Sequence, residues 1–141
     1  MAEVKIAESI QIEAPPDAVY DYRLEFMNLP SYNPLVSNVR STGPGEYAFD
    51  LTLPGFDQAM ETPLRIVNTT KPREITIETG PGYMAREVCT FERTGTGTLV
   101  TFEQTLTFEG EVPQDALDTV GQQAGEQARL ELTLMKKILE G

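Results

Sequence analysis

Between Tyr47 and Gly110 the chain repeats one device: a short run rich in Thr, Val, Ile and Phe, closed by a turn built on Gly or Pro. The runs are YAFDLTL, PLRIVNT, EITIETG, AREVCTFER and TLVTFEQTLTFEG. The turn signals are Gly43-Pro44-Gly45, Pro54-Gly55, Thr70-Lys71-Pro72, Gly80-Pro81-Gly82 and Gly95-Thr96-Gly97. Connections this short join antiparallel neighbours, because a parallel crossover needs about a dozen residues or more. The region is therefore confined to an antiparallel meander. Upstream, Ile6, Ile10 and Ile12 alternate with Ala7, Gln11 and Glu13, the period of a half-buried strand. Pro15-Pro16 ends it, and with Asp17 it predicts a short helix through DAVYDYRLEF. Pro30 and Pro34 hold LPSYNPLV to a broken helix or loop.

From Pro113 to Gly141 the period changes. Leu117, Val120, Ala124, Ala128, Leu132, Met135, Ile138 and Leu139 recur at the spacings of one helical face, with Pro113 and Asp115 marking the start. A strand, two short helices, a run of strands and a long amphipathic C-terminal helix make an α+β fold. The expected packing lays the helix across the concave face of a curved antiparallel sheet. Residues 1–141 are expected to form one domain, long enough to bury roughly two thirds of the unfolded surface.

Charge narrows the function. With 11 Lys+Arg, 22 Asp+Glu and no histidine, the formal net charge is −11. Such a surface gains nothing from counterion release and is repelled by anionic lipid, so neither nucleic acid nor a membrane surface is an expected partner. Without histidine the usual neutral-pH base and metal ligand is missing, and no metal or cofactor is expected. The glycine stretches Gly43-Pro44-Gly45-Glu46-Tyr47-Ala48 and Gly80-Pro81-Gly82-Tyr83-Met84-Ala85 lead into strands, so they lack the helix N-terminus that a pyrophosphate needs. Glu3, Lys5 and Glu8 interrupt the start, and no run approaches the roughly 18 apolar residues of a membrane span. These features predict a cytoplasmic protein. The single cysteine, Cys89, reads as a small buried hydrophobe.

Four fragments carry a family resemblance: SIQIEAPPDAVYDY, LPSYNPLV, GTGTLVTFE and LMKKILEG, in this order and spacing. The chain resembles the START-related superfamily, which includes birch-pollen-allergen-like, polyketide cyclase/dehydrase-type and coenzyme-Q-binding proteins, over nearly its whole length. The resemblance implies a helix-grip fold with a hydrophobic ligand cavity between helix and sheet. Tyr20 and Tyr32 stand where many members have tryptophan, and the missing histidine leaves some members' polar cavity residues without a match. It therefore implies a cavity more strongly than catalysis.

Several side chains break the apolar pattern. At about 100° per residue, Glu131 falls about 40° from the centre of the helical stripe, between Ala128 and Met135. It either faces the cavity, as a ligand-binding or proton-donating carboxyl, or reaches solvent or an arginine such as Arg23. Glu8 shares a strand face with Ile6, Ile10 and Ile12, and points inward unless a bulge turns it out. Gln104, between Phe102 and Leu106, is a cavity amide or a satisfied core amide. Glu87 faces inward only if Cys89 and Phe91 do, and its neighbour Val88 argues the reverse. No cation stands among these inward candidates.

Gly121 and Gly125 each cost roughly 1 kcal/mol relative to alanine in a helix interior. With Ala128 they either leave room for a ligand or allow close packing on the sheet. Phe26, Tyr32, Phe49, Leu51, Leu53, Ile66, Ile77, Phe102 and Leu106 line the pocket or serve as plain core, with Tyr32 the candidate gate. The expected function is binding of a hydrophobic small molecule or lipid by a monomer or homodimer. A cyclase/dehydratase using cavity carboxyls is the alternative, and a protein-interaction or ubiquinone-handling module is a third.

Overall fold

A computed structural model describes residues 2–141. Seven strands form one antiparallel sheet in the order β1-β7-β6-β5-β4-β3-β2. They are β1 (Ala2–Ile12), β2 (Val36–Gly43), β3 (Glu46–Leu51), β4 (Met60–Thr70), β5 (Glu74–Thr79), β6 (Ala85–Thr94) and β7 (Gly97–Phe108). Two short helices, α1 (Pro16–Leu24) and α2 (Leu29–Tyr32), follow β1, and the long helix α3 (Gln114–Glu140) follows β7. Strands β2 to β7 are joined by the short Gly and Pro turns. Only β1 pairs far along the chain, from Ala2 opposite Phe108 to Ile12 opposite Thr98. The architecture is the one expected: a curved sheet wrapped about a C-terminal helix.

One strand was not expected. VSNVRSTG carries few β-formers and no clean alternation, yet it forms β2 at the sheet edge. Only Val36 and Val39 are buried there, and the ladder to β3 breaks between Ser37 and Arg40. Asn38 takes a positive φ of 53° in this bulge, a conformation that Asn tolerates better than most residues.

The core lies between the sheet and the helices. In α1, Pro16 opens the first turn and Val19, Tyr20 and Arg23 turn inward on one face. Along α3, Ala128, Leu132 and Met135 are buried, whereas Leu117, Val120 and Ala124 are only half-buried. Gly97 opens β7 where a Cβ would overlap the Ile12 carbonyl oxygen, so only glycine lets β1 and β7 close there.

Candidate functional site

A cluster of polar side chains sits in the middle of this core. Arg23, on the inner face of α1, is 2% exposed. Its Nη2 donates to Glu87 Oε1 at 2.9 Å and its Nη1 to the Tyr32 hydroxyl at 3.0 Å. Glu131 Oε1, from α3, stands 3.6 Å from Nη1. The guanidinium carbon lies 4.8 Å from the centre of the Phe102 ring, 5.3 Å from Phe26 and 5.6 Å from Tyr32, so aromatic faces wall the charge. Arg23 Nε is buried with no hydrogen-bond partner among the described residues.

Each member is delivered by a different element. Glu87 shares the inward face of β6 with Cys89 and Phe91, contrary to the reading from Val88. The cation absent from the inward set in sequence is Arg23. It lies one helical turn after Val19 and Tyr20, and that spacing was the available signal. The proline-flanked segment supplies Tyr32 and Asn33 at the end of α2. Tyr32 is fully buried, so it packs at the heart of the cluster and does not stand at a rim as a gate.

Burial and charge set the protonation states. Desolvation acts to lower Arg23, but its acidic neighbours, Glu87 foremost, outweigh it and hold the guanidinium charged. Loss of water pushes Glu131 up to about 8; Arg23 opposes that rise and Glu87 adds to it. The 3.6 Å approach to Arg23 does not keep Glu131 ionised, because Arg23 already has the closer partner Glu87. Near neutral pH, Glu131 is thus mostly a protonated acid. Burial likewise raises Tyr32 to about 12 and lifts the Cys89 thiol well above its ordinary value.

A hydrogen-bonded path leads outward from this cluster. Asn33 Nδ2 donates to Glu131 Oε2 at 3.4 Å, and Asn33 Oδ1 accepts from Gln127 Nε2 at 3.1 Å. The Leu35 backbone N–H also donates to Asn33 Oδ1 at 3.1 Å, which fixes the amide. Gln127 lines a groove of about 670 Å³ between α3 and the β3–β4 connection, with Leu35, Leu53, Phe56, Val120 and Leu130 among its walls. Phe56 is 66% exposed there and Leu130 41%. Leaving such side chains in water forgoes roughly 1.5–3 kcal/mol each relative to full burial.

The profile of the family described as polyketide cyclase / dehydrase and lipid transport matches residues 3–140. The chain belongs to that family. Among solved structures, the di-domain ARO/CYC StfQ from the steffimycin biosynthetic pathway is similar at 19% identity and a TM-score of 0.80, over 98% of this chain and 51% of that one. This chain thus spans about half the length of StfQ. A START superfamily protein from Mycobacterium smegmatis is similar at 13% identity and a TM-score of 0.80, covering 96% of this chain and 97% of the other. Ara h 8.0201 is similar at 11% identity and a TM-score of 0.66, covering 95% and 98%. Identities this low establish the fold alone, which is helix-grip. A comparison with curated proteins finds no match.

In this member of the polyketide cyclase / dehydrase and lipid transport family, the residues singled out in sequence divide into four groups. Phe26, Tyr32, Phe102 and Glu131 meet around Arg23. Phe49, Ile77 and Ala128 are buried in the core, and Leu51 and Ile66 pack against it half-buried. Gln104 and Leu106 share the inward face of β7 with Phe102 and are half-buried, while Leu53 lies on the groove.

The fourth group packs α3 on β1. Glu8 turns toward the helix, where its Oε2 accepts from Arg129 Nη1 at 2.9 Å, away from the buried cluster. A Cβ on Gly121 would stand 3.2 Å from Val4 Cγ1, and one on Gly125 3.6 Å from Glu8 Oε2. The space beside both glycines is thus occupied by β1 side chains. Among the described residues, no helix is long and apolar enough to cross a membrane.

Proposed function

We propose that the protein binds an apolar small molecule or lipid between α3 and the sheet. The ligand's body enters along the groove of Leu35, Leu53, Phe56 and Leu130, and its polar end is directed toward the buried cluster. The observation that carries this reading is the hydrogen-bonded path Gln127–Asn33–Glu131, which joins an open apolar groove to an otherwise enclosed polar centre. A purely structural core gains little from such a centre, since a buried ion pair is often no more stable than apolar side chains of equal volume. A pocket that is mostly apolar with a few convergent polar groups is the common form of a small-molecule site. A monomer or homodimer in the cytoplasm suits a carrier of this kind.

Titration with a neutral fluorescent apolar probe such as N-phenyl-1-naphthylamine tests the reading, followed by displacement with methyl laurate. Saturable binding that weakens severalfold in Leu130→Glu, with folding intact, is expected. Binding indifferent to Leu130→Glu and Phe56→Ser would remove the groove from the proposal.

One observation favours a second reading, a cyclase or dehydratase. Glu131 is held protonated near neutral pH inside the fold, the state a general acid requires. Turnover of a polyketone that disappears in Glu131→Gln, with binding retained, would decide for it.

A further inference from the structure

The charges of the buried cluster bear on what a ligand's polar end can be. Arg23 supplies the cluster's cation, and Glu87 neutralises it at 2.9 Å with both side chains shielded from water. The acid on the facing helix, Glu131, is mostly protonated near neutral pH, as are Tyr32 and Cys89. The sum is close to zero. A ligand carboxylate entering here would add a negative charge with no free cation to meet it, and an uncompensated charge in a dry interior is strongly unfavourable. Hydrogen-bond donors, by contrast, are in surplus: the Nε–H of Arg23 is buried and unpartnered among the described residues. What the site lacks is a neutral acceptor.

We propose that Glu87 sets the charge selectivity of the site: by neutralising Arg23 it excludes carboxylate ligands and leaves the Arg23 Nε–H for a neutral oxygen acceptor, such as an ester or ketone carbonyl. This rests on the binding reading above and adds a specificity residue to it. Glu87 acts through Arg23, so it is a positioning residue that need not touch the ligand. Converting it to glutamine keeps shape and hydrogen bonding while freeing the guanidinium charge, which then attracts the anion that the native site rejects.

Methyl laurate and laurate share one chain and differ at the end group, so they separate these effects. Isothermal titration at pH 7 should show the ester binding the native protein more than roughly tenfold tighter than laurate. In Glu87→Gln the order should reverse. The double variant Arg23→Gln/Glu87→Gln, with no buried charge pair, should prefer the ester again; circular dichroism confirms that each variant is folded. Laurate binding the native protein as tightly as the ester overturns the inference while leaving the binding reading intact. An unchanged preference in folded Glu87→Gln overturns it equally. If neither compound binds the native protein, the binding reading fails, and the selectivity inference with it.

Discussion

Replacing Glu131 with glutamine should flatten the dependence of stability on pH between about 5 and 8. The native carboxyl is raised by burial from an ordinary 4.5 to about 8. In the unfolded chain it ionises near the ordinary value, so between those limits the unfolded state binds fewer protons than the folded one. Stability is then fully present below pH 4.5 and is lost as pH rises through 8. The interval spans roughly 3.5 pH units at about 1.4 kcal/mol each, a total loss of about 5 kcal/mol. That is a large share of the 5–15 kcal/mol typical of a small domain.

The absence of histidine clears this window, since no imidazole titrates in it. Urea unfolding followed by circular dichroism at pH 5, 6, 7 and 8 would give the slope. The native protein should lose more than about 1 kcal/mol per pH unit, and Glu131→Gln much less. Parallel curves for the two proteins would refute the assignment of a protonated, desolvated Glu131.

The Arg23–Glu87 pair should behave as a unit. Arg23→Met alone strands a buried carboxylate and should cost about 3–5 kcal/mol in urea unfolding, whereas adding Glu87→Leu should recover much of that loss. Additive single costs would show that the two side chains are not coupled. Gly97→Ala should fail to accumulate as folded protein, because its Cβ would overlap the Ile12 carbonyl oxygen; a native-like melting curve would contradict the close approach of β1 and β7. Gly125→Ala meets only ordinary contacts and should stabilise α3 by up to about 1 kcal/mol. Gly121→Ala, pressed against Val4, should gain less, and calorimetry would rank the two.

Local signals account for most of the architecture. Turn chemistry separated β3 to β7, and the three- and four-residue period located α3, because both depend on neighbours in the chain. Strand β2 escaped for a physical reason: as a bulged edge strand with two buried side chains, it leaves almost no alternation to read. The site was half legible. Glu131 declared itself as a carboxyl inside an apolar stripe, but Glu87 did not, since outward-facing Val88 is itself half-buried and masks the parity of β6. What makes Glu87 tolerable indoors is Arg23, 64 residues earlier, and no local pattern reports a partner at that distance. The segment with two prolines was visible as irregular. Its use, to present Tyr32 and Asn33 to the cluster, follows only from the packing of α2 against α3.

The placement of β1 has a consequence for the order of assembly. Strand β1 has its ladder partners 86 to 106 residues later, from Ile12 opposite Thr98 to Ala2 opposite Phe108 in β7, and its outer end is tied down by α3: the Glu13 N–H donates to Glu140 and the Lys136 ammonium to the Gln11 carbonyl, each at 2.8 Å. During synthesis the meander from β2 to β6 can zip through short loops while β1 waits, an amphipathic strand without a neighbour. Closing the sheet and seating the helix are then one late event. Until α3 seats, the concave face stays open to water, and its docking closes the core over that face.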